Sequence, residues 1–140
     1  MTGRQVLAAL IAILLATAVL PPAAAYAVNQ RRVSRAGRDV ASIAAALRQV
    51  ALAVPGAPGR VLVGPGGLPK AESAETRPWV AGAHENLSTR FGDAGVPQDP
   101  WGNCYLASAA LVLSAGANGT IETAFGAGSP GGDDVAASRR

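Results

Sequence analysis

The sequence VLAALIAILLATAVL, residues 6–20, consists of Ala, Leu, Ile and Val with a single Thr, within a charge-free stretch from Gln5 to Gln30. An α-helix needs about 20 apolar residues to cross a bilayer. The run reaches that length only if it continues through residues 21–28, PPAAAYAV. Because proline has no backbone N–H, we expect the helix to kink or end at Pro21 and Pro22. The pattern predicts a segment directed to a membrane.

The sequence leaves two fates open for this segment. In the first, Arg4 begins a secretory signal peptide, and cleavage at the small-x-small site Ala25-Tyr26-Ala27 makes the mature chain start near Val28. In the second, the segment is retained as an anchor and continues into the next helix. Arginines are more frequent after the apolar run than before it. That distribution favours the reverse membrane orientation or an assisted export route.

An amphipathic helix is predicted next, over residues 30–53, and Pro55-Gly56 is expected to end it. Its apolar residues recur at spacings of three, four and seven, which places them on one helical face: Val33, Val40, Ile43, Leu47, Val50 and Val54. The arginines of this region lie mostly off that face. The helix is therefore predicted to pack against a core.

The middle of the chain predicts loops with two short elements. Nine of the fifteen residues from Pro55 to Pro69 are Gly or Pro, which indicates a loop containing one brief edge strand at Arg60–Val63. A short helix is expected within Ala71–Phe91, with Pro78 near its first turn and its end at Gly92.

The last third of the chain predicts a β-hairpin. Tyr105–Ser114 is expected to form one buried strand, Asn118-Gly119 the turn and Thr120–Phe125 the returning strand. A tight turn is expected before it, at Asp99–Asn103, and a flexible acidic loop after it, at residues 126–135. The prediction is an α+β fold with a small antiparallel sheet. Its three parts are a transmembrane anchor segment at 1–28, an amphipathic stem helix at 29–54 and a small α+β head at 55–140.

Composition argues against several functions. The formal net charge is +3, but residues 1–70 carry eight basic residues and one acid, whereas residues 71–140 carry four basic residues and eight acids. Opposite charges of this kind can attract each other within a molecule or between copies. Nucleic-acid binding is not expected, because no aromatic residue is interleaved with the arginines of residues 31–38. Cys104 and His84 are the only residues of their types and lie in no catalytic motif, so we do not expect an enzyme.

Three motifs in a fixed order carry a resemblance to a known family. They are DPWGNxY at 99–105, LSAGANGxIET at 113–123 and GGDDV at 131–135. With the apolar segment and long helix that precede them, they resemble the pseudopilins of type II secretion and related type IV-filament systems, the major pseudopilins most of all. The motif residues to which we assign a structural role are Asp99, Pro100, Trp101, Gly102, Ser114, Gly116, Asn118, Gly119, Thr123 and Gly132.

The resemblance implies a structural subunit with a pilin-like fold, in which the long amino-terminal helix packs on the sheet. Its apolar helix would hold it in a bacterial inner membrane as a single span, with the head outside the cytoplasm, in the periplasm. The same helix would then pack into a short filament with other pseudopilin subunits and the secretion machinery. The alternative is a small exported binding domain that becomes soluble when a signal peptide is cleaved near Val28.

The resemblance also implies two sites. Pseudopilins often bind calcium in the carboxyl-terminal loop, and the carboxylates that match here are Asp133 and Asp134. Their leader peptide ends in Gly, which assigns cleavage to Gly3. The chain departs from the family pattern beside this glycine, because Arg4 stands where the family has Phe or Met. The fifth residue after the cut is Ala8, where the family has Glu.

Overall fold

The structure of the chain is a computed structural model that describes residues 2–49, 60–81, 83–87 and 95–139. Its first element is the helix α1, Gly3–Gln49, which runs through Pro21 and Pro22. The prediction that the helix could end at these prolines is therefore wrong. A proline removes one i to i−4 hydrogen bond, and the bonds of the neighbouring turns are enough to continue the helix. Residues 50–53 of the predicted stem helix lie outside the described residues.

The chain divides into two compact units, Met1–Arg31 and Arg32–Arg140. In the first unit, every side chain whose burial is described is exposed. The large apolar side chains of the run share this exposure: Val6, Leu7, Leu10, Ile11, Ile13, Leu14 and Leu15. Helix α1 is long and apolar enough to cross a membrane, a criterion that a signal sequence near the amino terminus also meets.

The second unit holds the strands and a second helix, which follow in chain order: β1 (Arg60–Val63), β2 (Lys70–Ala71), α2 (Pro78–Ala81), β3 (Ala83–Asn86), β4 (Leu106–Ala107), β5 (Leu111–Ser114), β6 (Thr120–Ile121) and β7 (Val135–Ser138). Five strands form one sheet in the order β3-β1-β4-β5-β7. In that sheet β1 and β3 are parallel, and the other pairs are antiparallel. Strands β2 and β6 form a separate parallel pair.

Each face of the five-stranded sheet buries its own set of side chains, because successive residues of a strand point to opposite faces. One set includes four residues of α1: Val40, Ile43, Ala44 and Leu47. They pack with Leu62, Tyr105 and Val112 of the sheet region. The other set gathers Val61, Leu106 and Leu111 around Trp79, whose indole N–H donates to the Thr123 carbonyl at 2.9 Å.

The α+β class and the packing of the long helix on the sheet are as predicted, but the sheet is mixed rather than antiparallel. Strand β1 is present at the predicted residues, yet it pairs on both sides and is not an edge strand. Of the helix expected within 71–91, the described residues show a four-residue helix and a helical Leu87, and residues 82 and 88–91 lie outside the description. Helix α2 covers four residues, and β3 follows it because the chain there pairs with β1. Its predicted end at Gly92 lies outside the described residues.

The predicted hairpin is wrong in its pairing. The expected strand at 105–114 is divided by a turn in which the Ser108 hydroxyl accepts the N–H of Leu111 at 3.2 Å, so β4 and β5 pair with each other. The returning strand β6 pairs with β2. The place beside β5 is taken by β7, which forms four register pairs with it, from Leu111 opposite Ser138 to Ser114 opposite Val135.

A partly buried hydrogen bond joins α1 to the rest of the second unit. Tyr105 is fully buried, and its hydroxyl donates to Asp39 Oδ2 at 2.9 Å. Burial, reinforced by this hydrogen bond and the charge of Asp39, raises the pKa of Tyr105 well above its ordinary value. The same Asp39 oxygen lies 3.7 Å from Nε of Arg35, one turn away on α1. The tyrosine thus supplies a polar contact inside an otherwise apolar interface.

We predict that Tyr105→Phe lowers the free energy of unfolding by about 1.5 kcal/mol, because the hydroxyl is lost while the carboxylate of Asp39 stays partly buried. The measurement is denaturant unfolding of the full chain in detergent, followed by the fluorescence of buried Trp79. Tyr26→Phe is the matched control, since Tyr26 is 67% exposed and should leave stability unchanged. Equal stability of the two variants would contradict a role for the Tyr105–Asp39 hydrogen bond.

Candidate functional site

The first motif forms a turn built around a buried carboxylate. Asp99 Oδ1 accepts hydrogen bonds from the backbone N–H groups of Trp101 at 3.0 Å and Asn103 at 2.8 Å. Its Oδ2 accepts the hydroxyl of Ser114 at 2.8 Å. Pro100 occupies the turn between them, and Gly102 adopts a φ of 89°, a conformation that glycine adopts without strain. Asp99 therefore ties the first motif to the end of β5.

The second motif is a loop held by Asp133. Its Oδ2 accepts the backbone N–H of Ala117 at 2.9 Å and that of Asn118 at 3.2 Å. Asn118 Oδ1 in turn accepts the N–H of Thr120 at 2.7 Å, which turns the chain into β6. Gly116 adopts a φ of 65°, and a Cβ at this position would lie 2.3 Å from the Asp133 carbonyl oxygen. Only glycine allows the two loops to approach so closely.

Asp134 is the buried centre of the carboxyl-terminal loop. Its Oδ2 accepts three hydrogen bonds, from the N–H of Glu122 at 2.9 Å and from the N–H and hydroxyl of Thr123 at 2.7 and 2.6 Å. The Thr123 hydroxyl also accepts the N–H of Gly131 at 3.0 Å. Burial raises the pKa of Asp134, an effect that the hydrogen bonds to Oδ2 oppose.

The second oxygen of Asp134 has no protein partner. The residue is only 7% exposed, and within the described part of the chain its buried Oδ1 accepts no hydrogen bond. A buried carboxylate oxygen without a donor is costly, because desolvation is not compensated. This oxygen is therefore available to a ligand that carries positive charge.

Three carboxylates meet at this point. Glu122, Asp133 and Asp134 each offer an oxygen, and the three oxygens lie within 4.8 Å of one another. Glu122 Oε2 accepts the N–H of Asp133 at 2.8 Å, and this bond holds the glutamate over the loop. Three like charges at this separation repel one another. Hard cations such as calcium bind oxygen ligands of this kind.

The structure thus adds Glu122 to the two residues identified from the sequence. Glu122 lies within the second motif, directly after β6, eleven residues before Asp133. Its membership of the motif was a signal in the sequence. The sequence predicts that residues 120–125 pair with β5. That pairing gave no reason to place Glu122 beside the carboxyl-terminal loop.

The remaining residues singled out from the sequence lie elsewhere. Gly3 is the first residue of α1 and belongs to the first compact unit. His84 is exposed on β3, and its Nε2 lies 3.0 Å from the Val80 carbonyl oxygen. Cys104 is buried, and burial raises its pKa to about 11. The thiol is therefore protonated at neutral pH, whereas a nucleophilic cysteine needs the opposite shift.

Comparison of the chain with protein families, curated proteins and solved structures finds no match. The features that bear on the role of the chain are therefore its fold, its three sequence motifs and the geometry of the carboxylate cluster.

We predict that Gly132→Ala destabilises the head by roughly 2 kcal/mol or more. Gly132 has a φ of 53°, and a Cβ there would lie 1.5 Å from Glu122 Oε2, so that the new methyl group displaces the glutamate. Two glycines of the same loop provide controls for denaturant unfolding. Gly126→Ala has the positive φ but no nearby atom, and Gly128→Ala has neither constraint.

For Gly126→Ala we expect a loss of about 1 kcal/mol from backbone strain alone, and for Gly128→Ala almost none. A Gly132→Ala variant as stable as Gly126→Ala would show that Glu122 does not hold the position described.

Proposed function

We propose that this chain is a pseudopilin-like structural subunit, assembling through its amino-terminal helix into a short filament of a type II secretion or related type IV-filament machine. The observation that supports the proposal most is α1 itself. One helix carries an apolar run whose described side chains are exposed, and the same helix buries Val40, Ile43 and Leu47 against a small mixed sheet. The order of the three motifs on that head adds the family resemblance.

The mechanism follows from the apolar run. In a bilayer, residues 6–20 contact lipid chains, so that the subunit is held as a single span with its head outside the cytoplasm. During assembly, the helices of neighbouring copies replace those lipids. Packing between helices then drives association, since lipid and leucine are equally apolar. The proposed role requires no catalytic group, in keeping with a buried, protonated thiol at Cys104.

The second candidate function is that of a small exported binding domain. The finding that favours it is that an apolar helix near the amino terminus meets the criterion for a signal sequence as well as that for an anchor. Cleavage near Val28 would remove the exposed run and leave the second compact unit intact.

The two candidates differ in the mature amino terminus, which mass spectrometry of the protein from its native host measures directly. We expect a start at Arg4, which keeps residues 6–20 in the mature chain. In the same membranes, Leu10→Cys should give disulfide cross-linked dimers, because filament packing brings the apolar runs of neighbouring copies together. The native Cys104 is buried, so each subunit offers one accessible thiol. Ala74→Cys, exposed on the head, is the matched control. A start near Val28 would refute the filament subunit in favour of the exported domain.

The carboxylate cluster supports a second part of the proposal, a calcium site formed by Asp133, Asp134 and Glu122. The fit depends on three carboxylates whose oxygens lie within 4.8 Å of one another, and on the buried Oδ1 of Asp134, which accepts no hydrogen bond from the described residues. Calcium takes six to eight oxygen ligands, which the carboxylates and nearby carbonyls can provide. A bound cation would supply positive charge that neutralises the cluster, and the three residues would fix the loop before β7.

We predict that calcium raises the melting temperature of the full chain in detergent and that a chelator reverses the increase. At a free calcium concentration of 100 times the dissociation constant, the gain in free energy is about 2.7 kcal/mol. Asp134→Asn and Asp133→Asn should each remove most of the response. Glu72→Gln is the control, because this exposed residue is separate from the three carboxylates of the cluster.

An unchanged melting temperature of the unmodified chain in calcium would refute the cation site. It would leave the filament proposal untouched, since that proposal depends on the apolar helix.

A further inference from the structure

The stem part of α1 carries a dense group of arginines. Residues 31–38 read RRVSRAGR, with four arginines in eight positions. Three of them belong to the second compact unit and are exposed: Arg32, Arg35 and Arg38. Their spacing of three residues keeps consecutive members within one helical turn of each other. We call these three residues the arginine cluster.

The arginine cluster lies away from the face of α1 that packs on the sheet. That packed face contains Ala36, Val40, Ile43, Ala44 and Leu47, which recur with the helical period and are buried. At about 100° per residue, Arg38 lies opposite the centre of that face, Arg35 about 125° from it and Arg32 about 65° from it, one turn before the first buried residue. All three side chains are exposed. Their guanidinium groups therefore point to the surroundings of the protein.

Two arginines of the cluster have no carboxylate partner among the described residues. Arg35 has a carboxylate partner, Asp39, whose Oδ2 is shared with the Tyr105 hydroxyl. Arg32 and Arg38 form no ion pair with any of the residues that the structure describes. Most of the acidic residues of the chain are in residues 71–140. Arg32 and Arg38 are therefore accessible to an anion from outside the described fold.

The sequence indicates which negatively charged groups lie near Arg32 and Arg38. Arg32 follows Val28, the last residue of the membrane-directed stretch, by four positions, and Arg38 follows it by ten. Where a helix leaves the hydrocarbon core of a bilayer, the next groups that it meets are the lipid headgroups. A guanidinium group can donate two parallel hydrogen bonds to two oxygens of one phosphate. Basic residues next to a membrane span attract anionic lipids.

We propose that the arginine cluster is a binding site for the headgroups of anionic phospholipids such as phosphatidylglycerol. The inference rests on the proposed retention of the apolar segment in the membrane. In this arrangement the lipid phosphates neutralise Arg32 and Arg38, and the packed face of α1 keeps its contacts with the sheet. The site would set the depth at which the stem emerges from the bilayer before assembly.

The test uses the full chain in a neutral detergent, with native mass spectrometry to measure how much lipid stays bound. The two probes are dioleoyl-phosphatidylglycerol and dioleoyl-phosphatidylcholine. Their acyl chains are identical, so contacts with the apolar run cancel in the comparison. The site variant is Arg32→Gln/Arg38→Gln. The control is Lys70→Gln/Arg77→Gln, which removes the same charge from two exposed residues of the head.

We expect the unmodified chain to bind phosphatidylglycerol at least about fivefold more tightly than phosphatidylcholine, with a preference that falls as salt is added. The site variant should lose that preference, and the control variant should keep it. Circular dichroism should show the same helix content in all three proteins, because Arg32 and Arg38 lie outside the packed face.

Four results would overturn the proposal. They are equal binding of the two lipids by the unmodified chain, equal loss of preference in both double variants, displacement of phosphatidylglycerol by inorganic phosphate at the same concentration, and lipid-free dimers that the site variant abolishes. The last result would assign the cluster to the acidic head of a second copy. None of them bears on the mature amino terminus, so failure of the lipid site and failure of the filament subunit are distinguishable.

Discussion

The contact between one face of α1 and the five-stranded sheet is the interaction on which the rest of the head depends. Strands of two to four residues bury little on their own. Val40, Ile43 and Leu47 cover the side of the sheet that carries Leu62 and Val112, and Trp79 lies in the core on the other side. Tyr105 adds a hydrogen bond to this interface. The helix is thus both the assembly element of the proposed function and part of the core on one side of the sheet.

In the loops, buried carboxylates accept hydrogen bonds from backbone N–H groups, as neighbouring strands do in the sheet. Asp99 and Asp134 each accept three hydrogen bonds, two of them from backbone N–H groups. The backbone donors to Asp99 belong to its own turn, whereas those to Asp134 are 11 and 12 residues away in the sequence. A Gly-rich chain has many backbone donors and few side chains to cover them, and each donor needs a partner when it is buried. Asp99 uses both of its oxygens within the protein, whereas Asp134 uses one. That difference separates a structural aspartate from a candidate ligand.

Residues close together in the sequence predicted local structure, but they could not predict which distant strands pair with each other. Helical periodicity identified the stem, and apolar residues bounded by Gly and Pro identified β1. The motif at 99–105 correctly indicated a turn, because Asp, Pro and Gly act within a few residues. The hairpin prediction failed, since the choice between β6 and β7 as the partner of β5 depends on residues more than 20 positions away. Glu122 was missed as a member of the cluster for the same reason, whereas Asp133 and Asp134 are neighbours in the sequence.

The position of β7 sets the order in which the head can be completed. Strand β5 lies between β4 and β7, so one of its edges stays open until residues 135–138 have left the ribosome. The loop that holds Asp133 and Asp134 directly precedes this last strand. During synthesis, α1 and the first strands emerge well before the final pairing partner, and the sheet closes only after translation of that strand. A nascent head at this stage exposes an unpaired strand edge, on which another extended polypeptide can pair until β7 takes its place.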